Sequence, residues 1–105
     1  MTTKKKLTQI ATSFDNVTEE PHYEKTSFRL KKKIFATFDQ KNKLVCVKLS
    51  LEDQASFCSF DKKIIYPVPN KWGQQGWTFI NLNLVHEETL TDALSTTYQE
   101  VSKKK

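Results

Sequence analysis

The sequence predicts an α+β domain: an antiparallel sheet of about five strands with helices packed on one face, in the order α-β-β-β-α-β-β-α. Three observations lead there. Apolar and aromatic residues alternate with period two through residues 27–49. Near each end, apolar residues recur instead at helical spacing. The length of 105 residues suits one domain with a core that needs no staples.

The elements follow in order. Leu7, Ile10, Ala11 and Phe14 fall at i, i+3, i+4 and i+7 and define one face of a first helix. Asp15-Asn16 ends it, and Pro21 closes a loop behind it. Three strands come next, as a meander. In Ser27–Lys31, Phe28 and Leu30 alternate with Arg29 and Lys31. In Ile34–Asp39, Ile34, Ala36 and Phe38 alternate with Phe35 and Thr37. In Leu44–Leu49, Val45, Val47 and Leu49 alternate with Leu44, Cys46 and Lys48. The connections Lys31–Lys33 and Gln40–Lys43 are both of hairpin length.

Ser50-Leu51-Glu52-Asp53 has the pattern of a capped helix start, with Leu51, Ala55 and Cys58 on one side of a short helix. Ile64-Ile65-Tyr66 is then broken by Pro67-Val68-Pro69. Prolines cannot donate to a ladder, so this segment is an edge strand or a stiff loop. Trp72–Gly76 is a turn and Trp77–Val85 the next strand. A last helix runs from Glu87 to about Ser102, with Leu90, Leu94, Thr97, Tyr98 and Val101 on one face. Glu87, Glu88 and Asp92 suit the positive end of its dipole, and Lys103–Lys105 the negative end.

Alternation divides the sheet residues between two faces. Phe28, Leu30, Ile34, Ala36, Phe38, Val45, Val47 and Leu49 are expected to face the helices. Arg29, Lys31, Phe35, Thr37, Leu44, Cys46 and Lys48 are expected opposite, joined there by Trp77 and Phe79.

Charge is unevenly spread. The net +5 comes from the ends: six lysines, at 4–6 and 103–105, read as basic tails, while residues 7–102 carry 11 basic and 12 acidic groups. Within that body, residues 25–48 hold eight basic residues against Asp39 alone, and anionic stretches flank them. No apolar run approaches the roughly 18–20 residues of a membrane span. No apolar stretch follows the early lysines as in a leader peptide, so a cytosolic chain without a membrane partner is expected. Cys46 and Cys58 lie in apolar segments and are expected to be reduced and mainly buried.

Catalysis finds little support. His22 and His86 stand beside acids, with no nucleophile elbow and no paired-carboxylate motif. Both glycines of the chain belong to the Trp72–Trp77 turn, so a glycine-rich phosphate cradle has no material. His22, Cys46, Cys58 and His86 are 24, 12 and 28 residues apart, unlike the close pairs of structural zinc sites. No cofactor, metal or enzymatic activity is expected. The basic segment is the better lead, because lysines interleaved with aromatics can bind nucleic acid by phosphate contact and stacking. Arg29 is the single arginine, and lysine neutralises phosphate as a point charge, so DNA binding would be backbone-driven. The candidate nucleic-acid-binding residues are Arg29, Lys31, Lys32, Lys33, Lys41, Lys43, Lys71 and Trp72. The rival is a module that binds a protein, a second copy of the chain or a small ligand through the aromatic sheet face or the Trp72/Trp77 loop.

The run from Glu20 to Arg29 (Glu-Pro-His-Tyr-Glu-Lys-Thr-Ser-Phe-Arg), then Lys33-Ile34-Phe35-Ala36-Thr37, resembles the MmcQ/YjbR-like bacterial proteins. Val47-Lys48-Leu49-Ser50, Gly76-Trp77 and Tyr98 extend the likeness over about residues 7–102. The resemblance implies a frataxin-like fold with two β-hairpin wings and a DNA-binding assignment, and it brings no catalytic residues. The wings would be the Lys31–Lys33 hairpin and the Tyr66–Trp77 connection. That family often has glycine where Lys32 stands, and the departure makes this turn more basic while removing an easy φ > 0 residue. A frataxin-like iron role has no acidic ridge to stand on in Leu7–Phe14.

Overall fold

In a computed structural model of the chain, residues 2–22 and 24–103 are described, His22 and Lys103 by backbone alone. The elements are α1 (Lys4–Thr12), β1 (Val17–His22), β2 (Lys25–Leu30), β3 (Lys33–Asp39), β4 (Leu44–Lys48), α2 (Leu51–Cys58), β5 (Ile65–Pro67), α3 (Lys71–Gln74), β6 (Trp77–Asn81) and α4 (Glu87–Lys103). The strands form one antiparallel sheet in the order β1-β2-β3-β4-β6-β5. The fold is thus α+β, with the meander and the long last helix where periodicity puts them.

The core lies between the sheet and the pair α1/α4. Leu7 and Ala11 of α1 and Leu90, Ala93 and Leu94 of α4 meet Phe28, Phe35, Phe38, Val45, Val47 and Ile80, all essentially inaccessible. Each large apolar side chain so buried contributes roughly 1.5–3 kcal/mol. Ser50 caps α2 as the sequence suggests, its Oγ accepting from the Asp53 amide at 3.1 Å; α1 is capped too, by Thr3 Oγ1, which accepts from the Lys6 amide at 3.2 Å.

Several expectations are corrected. Pro21 does not close a loop but sits in β1, an edge strand paired with β2 from Val17↔Leu30 to His22↔Lys25. Lys4–Lys6 are not a tail: they form the first turn of α1, and Thr2 ahead of them is buried, its Oγ1 donating to Val85 O at 2.8 Å. Lys104 and Lys105 lie outside the described residues. Trp72–Gly76 is not a simple turn, because Lys71–Gln74 forms the short helix α3. The strand that begins at Trp77 stops at Asn81, leaving Leu84 half exposed. In α2 the inward residue is Gln54, not Leu51, which is exposed. Gln54 Nε2 donates to Gly73 O at 2.8 Å, Trp77 O at 3.1 Å and Thr78 Oγ1 at 3.2 Å, so a polar side chain is buried because it ties α2 to the β5–β6 connection.

The most consequential correction is a β-bulge. Phe28 pairs with Ala36 but Arg29 pairs with Ile34, so Phe35 is the extra residue. Phe35 therefore turns into the core, where it meets Tyr98 edge-on at 5.9 Å between ring centroids, and Ile34 moves to Arg29's side of the sheet. Thr97 of α4 serves the gap. Its hydroxyl lies 3.1 Å from Phe35 O and within hydrogen-bond reach of Lys48 O, and it accepts from the Lys48 amide at 3.1 Å.

Candidate functional site

Residues paired directly across an antiparallel ladder share a face. One row on the face away from α1 and α4 therefore reads Glu20, Ser27, Thr37, Cys46, Phe79, Tyr66 from β1 to β5. Beside it lie the pairs Arg29–Ile34 and Lys48–Trp77. The β1/β2 side of this face is polar. Arg29 Nε donates to Ser27 Oγ at 3.0 Å, and its guanidinium stands 4.0 Å from Glu20, so the single arginine is half-buried and engaged. The β6/β5 side is aromatic. Tyr66 and Phe79 meet edge to face with centroids 5.8 Å apart, and Lys48 Nζ lies 5.8 Å from the centroid of Trp77.

Cys46 sits between these halves, a free thiol of intermediate burial like Cys58, because its ladder partners Thr37 and Phe79 place it on this open face. Burial pushes the Cys46 thiol up to about 11, with Lys25 pulling weakly the other way. That thiol is protonated near neutral pH and is a poor nucleophile. Burial also raises the Cys58 thiol. His86 is exposed, and the side chain of His22 lies outside the described residues. Among the described residues, no three His, Cys, Asp or Glu side chains gather as a metal site would need. Nor is any helix long and apolar enough to cross a membrane.

The eight candidate binding residues do not come together as one patch. The meander splits the basic segment between the two ends of the sheet, roughly 20 Å apart along the seven residues of β3. At one end lie Lys31, Lys32 and Lys33, the C-terminal end of β4 with Lys48, and the β5–β6 connection with Lys71 and Trp72. At the other lie Lys41 and Lys43, beside Leu82, whose amide donates to Lys43 O at 2.9 Å. Lys48 was absent from the expected set, although its membership of the basic segment was visible.

The two wings at the first end are built differently. The β2–β3 hairpin closes between Leu30 and Lys33 over two residues, Lys31 (φ 50°) and Lys32 (φ 75°). Two positive φ values in a two-residue loop mark a type I′ turn, which favours Asn-Gly. The β5–β6 wing needs both glycines of the chain. A Cβ on Gly76 (φ 107°) would stand 1.9 Å from Leu49 O, and one on Gly73 would stand 2.0 Å from Val68 O. Asn70 Oδ1 accepts from the Trp72 amide at 2.8 Å, and Trp72 itself is 51% exposed. In the strand order the wings are three spacings apart, about 14 Å. At the foot of the hairpin lies a cleft of about 430 Å³ lined by Leu30, Lys31, Lys33, Tyr98 and Val101 among others.

Comparison with known proteins agrees with this architecture. No curated protein matches the chain. The crystal structure of the Deinococcus radiodurans protein DR2400, whose domain is designated DUF419, is similar with a TM-score of 0.82. The match covers 99% of this chain and 81% of that one at 23% identity, so the likeness is one of fold. The profile of the YjbR family matches residues 12–100, most of the chain. The chain belongs to the YjbR family.

Proposed function

We propose that the domain associates with nucleic acid through phosphate contacts, without catalysis, using Lys31, Lys32, Lys33, Lys48 and Lys71 at one end of its sheet. The observation that carries this reading is the lysine pair at φ 50° and 75° in the β2–β3 hairpin. A left-handed conformation costs a non-glycine residue on the order of 1 kcal/mol. Asn-Gly would make the same turn more cheaply, so two exposed cations are held at this tip against local preference. The second wing adds Lys71 and an exposed tryptophan about 14 Å away, far enough to reach a different phosphate. Lysine without free arginine suits charge neutralisation rather than bidentate base reading.

Affinity for duplex DNA is expected at about 10⁻⁴–10⁻⁶ M near physiological salt, falling with a log–log slope of about −0.9 per phosphate contact. Fluorescence anisotropy with a labelled duplex measures both. Replacing Lys31, Lys32 and Lys33 with glutamine should flatten the slope by about 2.7 and weaken all sequences alike. Lys4, Lys5 and Lys6 belong to α1, so the control replaces them with glutamine instead of deleting them. Lys103–Lys105 are replaced in the same control. If that control loses binding while the hairpin variant retains it, the wing reading is wrong.

A further inference from the structure

The aromatic half of the open sheet face has no part in a reading built on lysines alone. Tyr66 on β5 and Phe79 on β6 are cross-strand partners with centroids 5.8 Å apart, and both are half-buried. Trp77 follows on the same strand and the same face two positions before Phe79, about 7 Å along it. Lys48, directly opposite Trp77, holds its ammonium 5.8 Å from that ring's centroid. A surface of rings, Tyr66 and Phe79 inclined 63° to each other, therefore begins beside the lysine-bearing end of the sheet.

We propose that this face is a stacking platform for single-stranded nucleic acid. Phe79 and Tyr66 would each take a base, and Lys48 a phosphate of the strand as it passes toward the Lys31–Lys33 wing. The inference rests on the wing reading for its electrostatics and adds a substrate class to it. Three arguments choose this occupant. Base–aromatic stacking accepts any base, in keeping with a site whose one arginine is engaged by Ser27 and Glu20. Rings on neighbouring strands of an open antiparallel sheet can take successive bases only when those bases are unpaired. The Phe79 and Tyr66 centroids are 5.8 Å apart, more than the roughly 3.4 Å rise of stacked DNA, which suits bases splayed from one another. Charge complementarity favours the same ligand, since Lys48 lies on the face and Lys31, Lys32, Lys33 and Lys71 lie at its end. The acids Glu20 and Asp39 stand elsewhere, on the β1 edge and beside the far turn.

The test compares a 15-nucleotide oligothymidylate with a 15-base-pair blunt duplex, both by anisotropy at low salt. The protein should bind the single strand about tenfold more tightly than the duplex. Phe79→Leu and Tyr66→Leu, which keep apolar bulk, should each lose about tenfold on the single strand and little on the duplex. Thermal melts confirm that both variants are folded. An independent readout needs no change to the platform: in Trp72→Phe the remaining tryptophan, Trp77, should be quenched by oligothymidylate and not by duplex. Equal affinity for the two ligands, or leucine variants that bind the single strand normally, would overturn the platform and leave the wings standing. Binding to neither ligand would overturn both.

Discussion

At one end of β3 the chain reverses over two lysines; at the other it reverses around an aspartate. In the β3–β4 turn, Asp39 Oδ1 accepts from the Lys41 amide at 3.0 Å and the Asn42 amide at 3.3 Å. Its Oδ2 accepts from Asn42 Nδ2 at 2.8 Å. These bonds, that from the Asn42 side chain first, hold the Asp39 carboxyl below its usual range. Only Lys43 (φ 57°) is left-handed there, and its carbonyl is used by Leu82. The β2–β3 turn asks the same of two lysines in succession. Two turns of one basic segment are thus different objects. In one, the lysines ride on a turn that a carboxylate organises. In the other, the lysines are the turn.

Breaking the organised turn should have the largest effect. Asp39→Ala removes three hydrogen bonds and should cost about 1–2 kcal/mol of stability, read as a lower urea midpoint. The sign with pH follows from the lowered carboxyl. Its contribution is full above the unfolded value near 3.9 and is lost as pH falls through the lower folded value, so the variant should lose less stability than the parent in that acid range. Relaxing the strained turn should act in the opposite direction. Lys31→Asn with Lys32→Gly supplies the residues a type I′ turn prefers and should raise stability by roughly 1 kcal/mol, or a few degrees in Tm. The same pair of changes should weaken duplex binding, so that stability and affinity part company. The smallest effect belongs to Lys41→Gln with Lys43→Gln, which alters charge at the far end and should leave duplex affinity within about twofold at physiological salt, since 20 Å is well beyond a Debye length of about 8 Å. A loss as large as that of the hairpin variant would erase the distinction between the two ends.

Much of the fold was legible because two periods write it plainly. The alternation of Val45, Val47 and their neighbours gives β4, and Leu90, Leu94 and Tyr98 give α4. Three features were not legible. β1 is polar and contains Pro21, so it has neither the composition nor the alternation of a strand, and it exists because β2 offers it a ladder. The bulge at Phe35 adds one residue to β3, and period two cannot show an insertion; Ile34 and Phe35 therefore exchange faces relative to expectation. Gln54 is buried because carbonyls of α3 and β6 await it, a tertiary cause with no local trace. The candidate site was half legible. Its residue types and the open-face pair Trp77 and Phe79 were visible. Its division was not, since charge counted along the chain cannot see that a meander carries neighbouring turns to opposite ends.

The prolines at the two margins of the sheet have a consequence for how copies of the domain meet. β1 carries Pro21 within its pairing with β2, and β5 is only three residues long and ends in Pro67. An incoming strand that seeks to extend the sheet finds a missing donor at either side, and beside Pro21 it also meets Glu19 and Glu20. Growth into ladders or fibrils by strand addition is therefore obstructed in both directions. The open face of the sheet can then stay uncovered without offering a neighbouring copy a strand to pair with.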